Sequence, residues 1–196
     1  DGDDVFFQLR AWEDGVERGE EVTRSYGPWP NDPFFLYFGF VPEGNPNDAV
    51  VLFDEVGDVA ACAARLDMMS TAEAGERAAA AAAAWDEEKK NGGSGAPTRM
   101  VITREGIDEG VMRAVAALGL DGMDAFNALL EGRCKELLRE YPTKLKEDRG
   151  LLQSGTLSEN EFTSTLYKMS KKEVLLGPLA AAAARQREAG GTIMQV

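Results

Sequence analysis

The chain has 196 residues, 44% of them hydrophobic, with 34 acidic and 21 basic side chains and a net charge of −13. That length holds one domain or two small ones. The acidic balance argues against a general nucleic-acid binder, which needs a basic surface for phosphates, and against docking on anionic membranes.

Histidine is absent, which rules out His-based triads, His metal sites and a His general base in this chain. No metal site is expected. Cys62 and Cys134 are the only cysteines. They form neither a zinc spacing nor a disulfide framework and fall on apolar faces of helical patterns, so both read as buried thiols. No apolar run is long enough for a spanning helix. The chain begins with Asp1 and shows no signal or transit segment, so it reads as a piece of a longer product.

In chain order, Val5 to Trp12 is rich in strand formers and Val22 to Tyr26 reads as a second short strand. Such a pair needs further sheet partners, because an isolated hairpin is marginal in water. Gly27-Pro28-Trp29-Pro30-Asn31-Asp32-Pro33 is a turn by composition. Phe34 to Val41 is intensely aromatic, Pro42 to Asp48 is a loop, and Ala49 to Phe53 reads as a short strand.

Helical patterning then takes over. Val56, Val59, Ala60, Ala63 and Leu66 recur at helical spacing. Ser70-Thr71-Ala72-Glu73 fits a capping box, which predicts a helix to about Lys90. Its alanine run, Ala78 to Ala84, forms helix strongly but packs weakly. Asn91 to Pro97 is a flexible connector, and Met100 with Ile102 marks a short strand. A helix is expected from near Asp108 to near Gly119. After Asp121-Gly122, the positions Met123, Phe126, Leu130, Cys134, Leu137, Leu138 and Tyr141 make one apolar helical face, ended by Pro142. Ser158-Glu159-Asn160-Glu161 is a second capping box. Its helix carries Phe162, Leu166, Met169 and Leu176, and Pro178 should kink or divide it. Gly190 to Val196 is expected to be poorly ordered.

Two groups of motifs carry a resemblance. Gly19-Glu20-Glu21, Ser25-Tyr26-Gly27, Asn31-Asp32 and Phe38-Gly39-Phe40 resemble the end of a SET domain, and Val41 to Asp48 continues in the same manner. Arg133 to Thr143, Glu147-Asp148, Leu151-Leu152, Leu157 to Glu161 and Lys171-Lys172 look like the helical substrate-binding domain of Rubisco large-subunit lysine methyltransferases. The order and spacing of these motifs are more specific than any one of them. The resemblance implies an α+β fold: a short β-rich SET remnant over residues 1–48, then a mainly α-helical substrate-binding domain over 49–196.

The same resemblance implies the C-terminal portion of a protein-lysine N-methyltransferase that uses S-adenosylmethionine and binds a protein substrate. Its compartment, by resemblance alone, is the chloroplast. A SET-derived subunit without catalysis, such as one in a plastid transcription complex, shares the layout and is the alternative. In the family chemistry a neutral amine attacks the methyl carbon of the sulfonium, which demands alignment in a narrow channel. Tyr26 is the implied catalytic residue, its hydroxyl orienting the amine without bringing a charge. Its other reading is a strand-end tyrosine whose hydroxyl seeks a partner.

Phe38 stands where relatives usually carry a second tyrosine lining the lysine channel. Losing that hydroxyl alters either the number of methyl groups added or the activity itself. Phe40 is the implied cofactor contact, near the adenine, and reads equally well as a plain core aromatic. Asn31 is expected to cap the turn after Gly27. The family's Asn-His cofactor pair has no counterpart here, so the site is incomplete and this chain alone should not bind the cofactor appreciably. Glu147, Asp148, Glu159 and Glu161 resemble paired catalytic carboxylates, but two of them fit helix capping and dipole placement, which is the more economical reading. Lys144, Lys146, Lys168, Lys171 and Lys172 read as a solvated helix face rather than a docking patch for an acidic partner.

Overall fold

A computed structural model describes residues 15–22 and 25–191, with side-chain surroundings as far as residue 181. The expected strand from Val5 to Trp12 and most of the Gly190–Val196 tail lie outside the described residues. The chain enters through a turn and a three-residue helix, α1 (Asn31–Pro33), which runs straight into a π-helical turn at Phe34–Phe38. Gly39 ends that turn at φ 73°, a left-handed conformation that glycine adopts without a Cβ clash.

Two strands follow, far apart in sequence. β1 (Ala49–Phe53) pairs antiparallel with β2 (Met100–Thr103), with Val51 opposite Val101 and an irregularity before Phe53. Both strands were expected. Of the strand expected over Val22–Tyr26, only Val22, Ser25 and Tyr26 are described; they have no strand structure, and Val22 is exposed. Strand formers hold a strand only when a partner completes their hydrogen bonds, and none is described beside them. Among the described residues the sheet therefore lies after residue 48, and residues 15–48 contain no strand.

The helices are α2 (Val56–Arg65), α3 (Thr71–Lys90), α4 (Glu109–Ala117), α5 (Met123–Arg139), α6 (Leu145–Ser154) and α7 (Glu159–Gly191). The protein is thus mainly helical with a small two-stranded sheet. The local start signals are realised. Ser70 Oγ accepts the Glu73 amide at 3.2 Å. At α7, the Ser158 amide donates to Glu161 Oε2 at 2.9 Å while Ser158 Oγ accepts the Glu161 amide at 3.4 Å. Asp108 Oδ1 accepts the Gly110 amide and so starts α4.

The core joins Leu52 and Phe53 of β1 and Met100 and Ile102 of β2 to Val59, Cys62 and Ala63 of α2. Val111 and Val115 of α4, Leu129 and Cys134 of α5, and Val174 and Leu175 of α7 complete it. Both cysteines are fully buried, as expected. On α3 only Ala74, Ala81 and Trp85 are buried, so the alanine run contributes a narrow stripe. On α5 the predicted face points inward from Phe126 onward, but Met123 in the first turn is exposed. Arg133 ties α5 to the sheet, with Nε donating to the Leu52 carbonyl at 2.8 Å.

Helix α7 passes through Pro178 without being divided. Proline removes one amide donor and crowds the preceding turn. Leu179, immediately beyond it, packs against the core, and the alanine run that follows favours helix. Both keep the helix going. Helix α6 had no clear apolar period in the sequence. It is held instead by a buried charge, Asp148, that reaches Lys172 on α7.

Candidate functional site

The three site residues drawn from the sequence come together in one aromatic turn. Gly27, at φ 86°, bends the chain after Tyr26. The π turn then reverses it, and Gly39 brings Phe40 back so that its amide reaches the Phe34 carbonyl. Phe34 is the buried centre. Tyr26 lies 4.8 Å from Phe38, 5.8 Å from Phe34 and 6.3 Å from Phe40 between ring centroids, and Phe34 lies 5.2 Å from Phe40. Such ring separations are those of interacting aromatic pairs.

The cluster is nevertheless open. Tyr26, Phe38 and Phe40 are 41%, 45% and 41% exposed, and none of them lines any of the clefts described below. The described residues therefore bring the ring set together without enclosing a channel. The Tyr26 hydroxyl has no hydrogen-bond partner among the described residues, so the reading as a strand-end tyrosine with a satisfied hydroxyl gains nothing here.

The segment after Tyr26 is locked to α7 by a polar cluster that the sequence did not disclose. Asn31 is fully buried and does not cap the turn after Gly27. Its backbone amide donates to Asp48 Oδ1 at 3.1 Å, and its side-chain amide donates to Asp48 Oδ2 at 3.0 Å and to Ser170 Oγ at 3.1 Å. Its Oδ1 accepts Asn45 Nδ2 at 2.8 Å. The Lys171 ammonium donates to Asp32, to Asp48 Oδ1 at 2.7 Å and to the Ala49 carbonyl at 2.8 Å. Tyr167 donates to Asp32 Oδ1 at 2.8 Å, and its ring stacks on Phe35 at 4.4 Å.

A second buried pair lies beside this one, where Lys172 donates to Asp148 and to Thr143 Oγ1 at 3.0 Å, above the Tyr141 ring. The solvated-face reading of Lys171 and Lys172 is therefore wrong: they are 4% and 1% exposed. Their spacing held the clue. Lys171 sits three and four residues before Val174 and Leu175, on the inward face of α7. Asp148 is likewise an internal ion-pair partner, whereas Glu147 and Glu161 do serve helix starts.

The cluster sets its own electrostatics. Burial raises the Asp32 carboxyl, but the hydrogen bonds and charge of Lys171 outweigh it and hold Asp32 below the usual range. Tyr167 is pushed well above an ordinary phenol, first by burial and then by its bond to the Asp32 carboxylate. No buried polar side-chain atom among the described residues lacks a partner, so the cost of burying these groups is met by hydrogen bonds.

Two clefts flank this cluster. One, of about 490 Å³, runs along β1 and β2 and is lined by Asp32, Val50, Arg99, Tyr141 and Tyr167. The other, of about 580 Å³, opens where α5, α6 and α7 meet. No group of three or more Asp, Glu or Cys side chains among the described residues is placed to hold a metal ion.

The model of one protein family, described as Rubisco LSMT substrate-binding, matches residues 65–175. The chain belongs to this Rubisco LSMT substrate-binding family. No curated protein matches the sequence. The match starts at the last residue of α2 and ends at Leu175, in the core part of α7. It contains both buried lysines, Asp148, Tyr141, Tyr167 and the whole cleft-forming junction of α5 and α6. The family identifies this helical region as related to protein-lysine methyltransferases and as their substrate-binding part.

Tyr26, Phe38 and Phe40 lie before the matched region. The polar cluster is what joins the two: Asn31, Asp32, Asn45 and Asp48 come from the preceding segment, and Tyr167, Ser170 and Lys171 come from the substrate-binding region. That contact spans up to 139 residues of sequence.

Proposed function

We propose that this chain is the C-terminal portion of an S-adenosylmethionine-dependent protein-lysine N-methyltransferase. Residues 1–48 would be the end of its SET domain, and residues 49–196 would hold the protein substrate. The observation that carries the reading is the family match over 65–175. It is supported by the convergence of Tyr26, Phe38 and Phe40 on one face and by their buried attachment to α7. Tyr26 is the residue whose hydroxyl orients the substrate amine, Phe38 lines the lysine channel and Phe40 contacts the cofactor. The compartment proposed is the chloroplast.

The described residues do not fit the cofactor by themselves. Their aromatic face is open, no described cleft is lined by it, and the chain has no histidine for the family's Asn-His pair. Calorimetry on the 196-residue chain should show no micromolar binding of S-adenosylmethionine.

The test is methyl transfer by the full-length protein. With radiolabelled cofactor and a plastid extract it should label a protein, and Tyr26→Phe should lower the rate by about 10²-fold, the cost of a misplaced reacting group. Unchanged labelling by Tyr26→Phe would remove Tyr26 from the site. One observation favours a second reading: Phe38 has no hydroxyl to offer a channel. A SET-derived subunit of a plastid transcription complex would label nothing and yet would purify with its partners.

A further inference from the structure

We propose that the groove where α5, α6 and α7 meet is the docking site for an acidic segment of the protein substrate that inserts one apolar side chain. This rests on the substrate-binding reading above and names the partner's chemistry. The groove has a volume of about 580 Å³, with Leu138, Leu145 and Leu176 on its walls and Arg139, Lys144 and Lys146 around it. A cleft of that size takes a side chain or two of a bound segment.

Charge decides which segment fits. The molecule carries −13, and among the described residues ten lysines and arginines are already tied to carboxylates. Arg139, Lys144 and Lys146 are exposed and enter none of these pairs. Three cations outside any ion pair, around one apolar floor, stand against the sign of the whole molecule. Lys172 beneath them is neutralised by Asp148. Glu147 also lines the groove, where its carboxylate accepts the Lys144 amide at 2.7 Å, so three cations face one carboxylate there. Carboxylates on either side of a leucine or similar residue would meet these cations while the apolar group fills the floor.

The probe is a short fluorescein-labelled peptide with one leucine flanked by Asp and Glu, titrated with the 196-residue chain and read by fluorescence polarisation. Its counterparts carry Lys in place of the acids, or Ser in place of the leucine. The acidic peptide should bind at least about tenfold tighter than either and weaken as salt is raised. The double variant Arg139→Glu/Lys146→Glu, at two exposed positions, should lose about tenfold for the acidic peptide and gain for the basic one. Circular dichroism would verify that the variant is folded.

Binding unchanged in the variant would overturn the groove and leave the substrate-binding reading intact. Equal binding of the acidic and basic peptides, or no binding of the acidic one, would overturn the partner class. Loss of the leucine without effect would overturn the apolar anchor. The substrate-binding reading itself stands or falls separately, on whether the full-length protein transfers a methyl group.

Discussion

Replacing Lys171 with methionine keeps most of the side-chain volume but removes the ammonium at the centre of the polar cluster. The ammonium serves three acceptors: Asp48, which is fully buried, Asp32, whose side chain is 41% exposed, and the Ala49 carbonyl. Removing one member of a buried ion pair costs about 3–5 kcal/mol because the other charge stays buried. Asp48 would keep only the Asn31 donors and the Ala49 amide. Asp32 re-solvates, so its share falls to that of a surface pair, under about 1 kcal/mol. Partial relaxation of the released segment offsets some of the remainder. The expected loss is about 3–4 kcal/mol, a large fraction of the roughly 5–15 kcal/mol that stabilises a domain.

The measurement is urea unfolding followed by far-UV circular dichroism, paired with limited proteolysis of residues 15–48. Lys171→Met should lower the midpoint and expose that segment to early cleavage. The double variant Lys171→Met/Asp48→Asn should be less destabilised than the sum of the two single changes, by about 1–2 kcal/mol, because it leaves no stranded charge. A loss below about 1 kcal/mol for Lys171→Met, with residues 15–48 still protected, would refute the claim that a buried ion pair holds the aromatic turn to α7.

Asp32 makes stability depend on acid. Its carboxyl is held below its ordinary value of 3.8 in the folded state, so its contribution is present above that value and is lost as pH falls through the lower folded one. Asp32→Asn should flatten the urea midpoint's fall below pH 3.8, and an identical acid limb in the two proteins would contradict this. Burial pushes the Cys62 thiol up to about 11 and the Cys134 thiol up to about 12. Ellman's reagent at mildly alkaline pH should react with them only as fast as the protein unfolds, and immediate labelling of the folded chain would count against it. Ser70→Ala should cost about 1 kcal/mol by removing the acceptor for the Glu73 amide. Thermal melts would test this, with Ser70→Asp as the variant expected to retain stability.

Local signals determined much of the helical region. Ser70 with Glu73, and Ser158 with Glu161, mark helix starts because a side-chain oxygen and a nearby amide satisfy each other within four residues. The α2 face and the inward part of the α5 face were equally legible, since spacing alone places those side chains on one side of a helix. At Val22, Ser25 and Tyr26 strand propensity is not matched by strand structure, since propensity takes effect only where a second strand supplies hydrogen bonds. Among the site residues, motif order brought out Tyr26, Phe38 and Phe40. Only the π turn and Gly39 gathered them on one face, and the same turn left that face open.

The attachment of that face was settled by tertiary structure. Two adjacent lysines look like solvent-exposed charge in any sequence, and Lys171 and Lys172 become internal only because Asp48 and Asp148 arrive from 123 and 24 residues away. Burying an ammonium is unfavourable until its partners are present, and whether they are present is a property of the assembled fold. The sequence by itself therefore determined helices α2 to α5 and α7, the caps at Ser70 and Ser158, and the family of the helical region. The tertiary structure alone decided that the aromatic turn before that region is bound to it through buried charge.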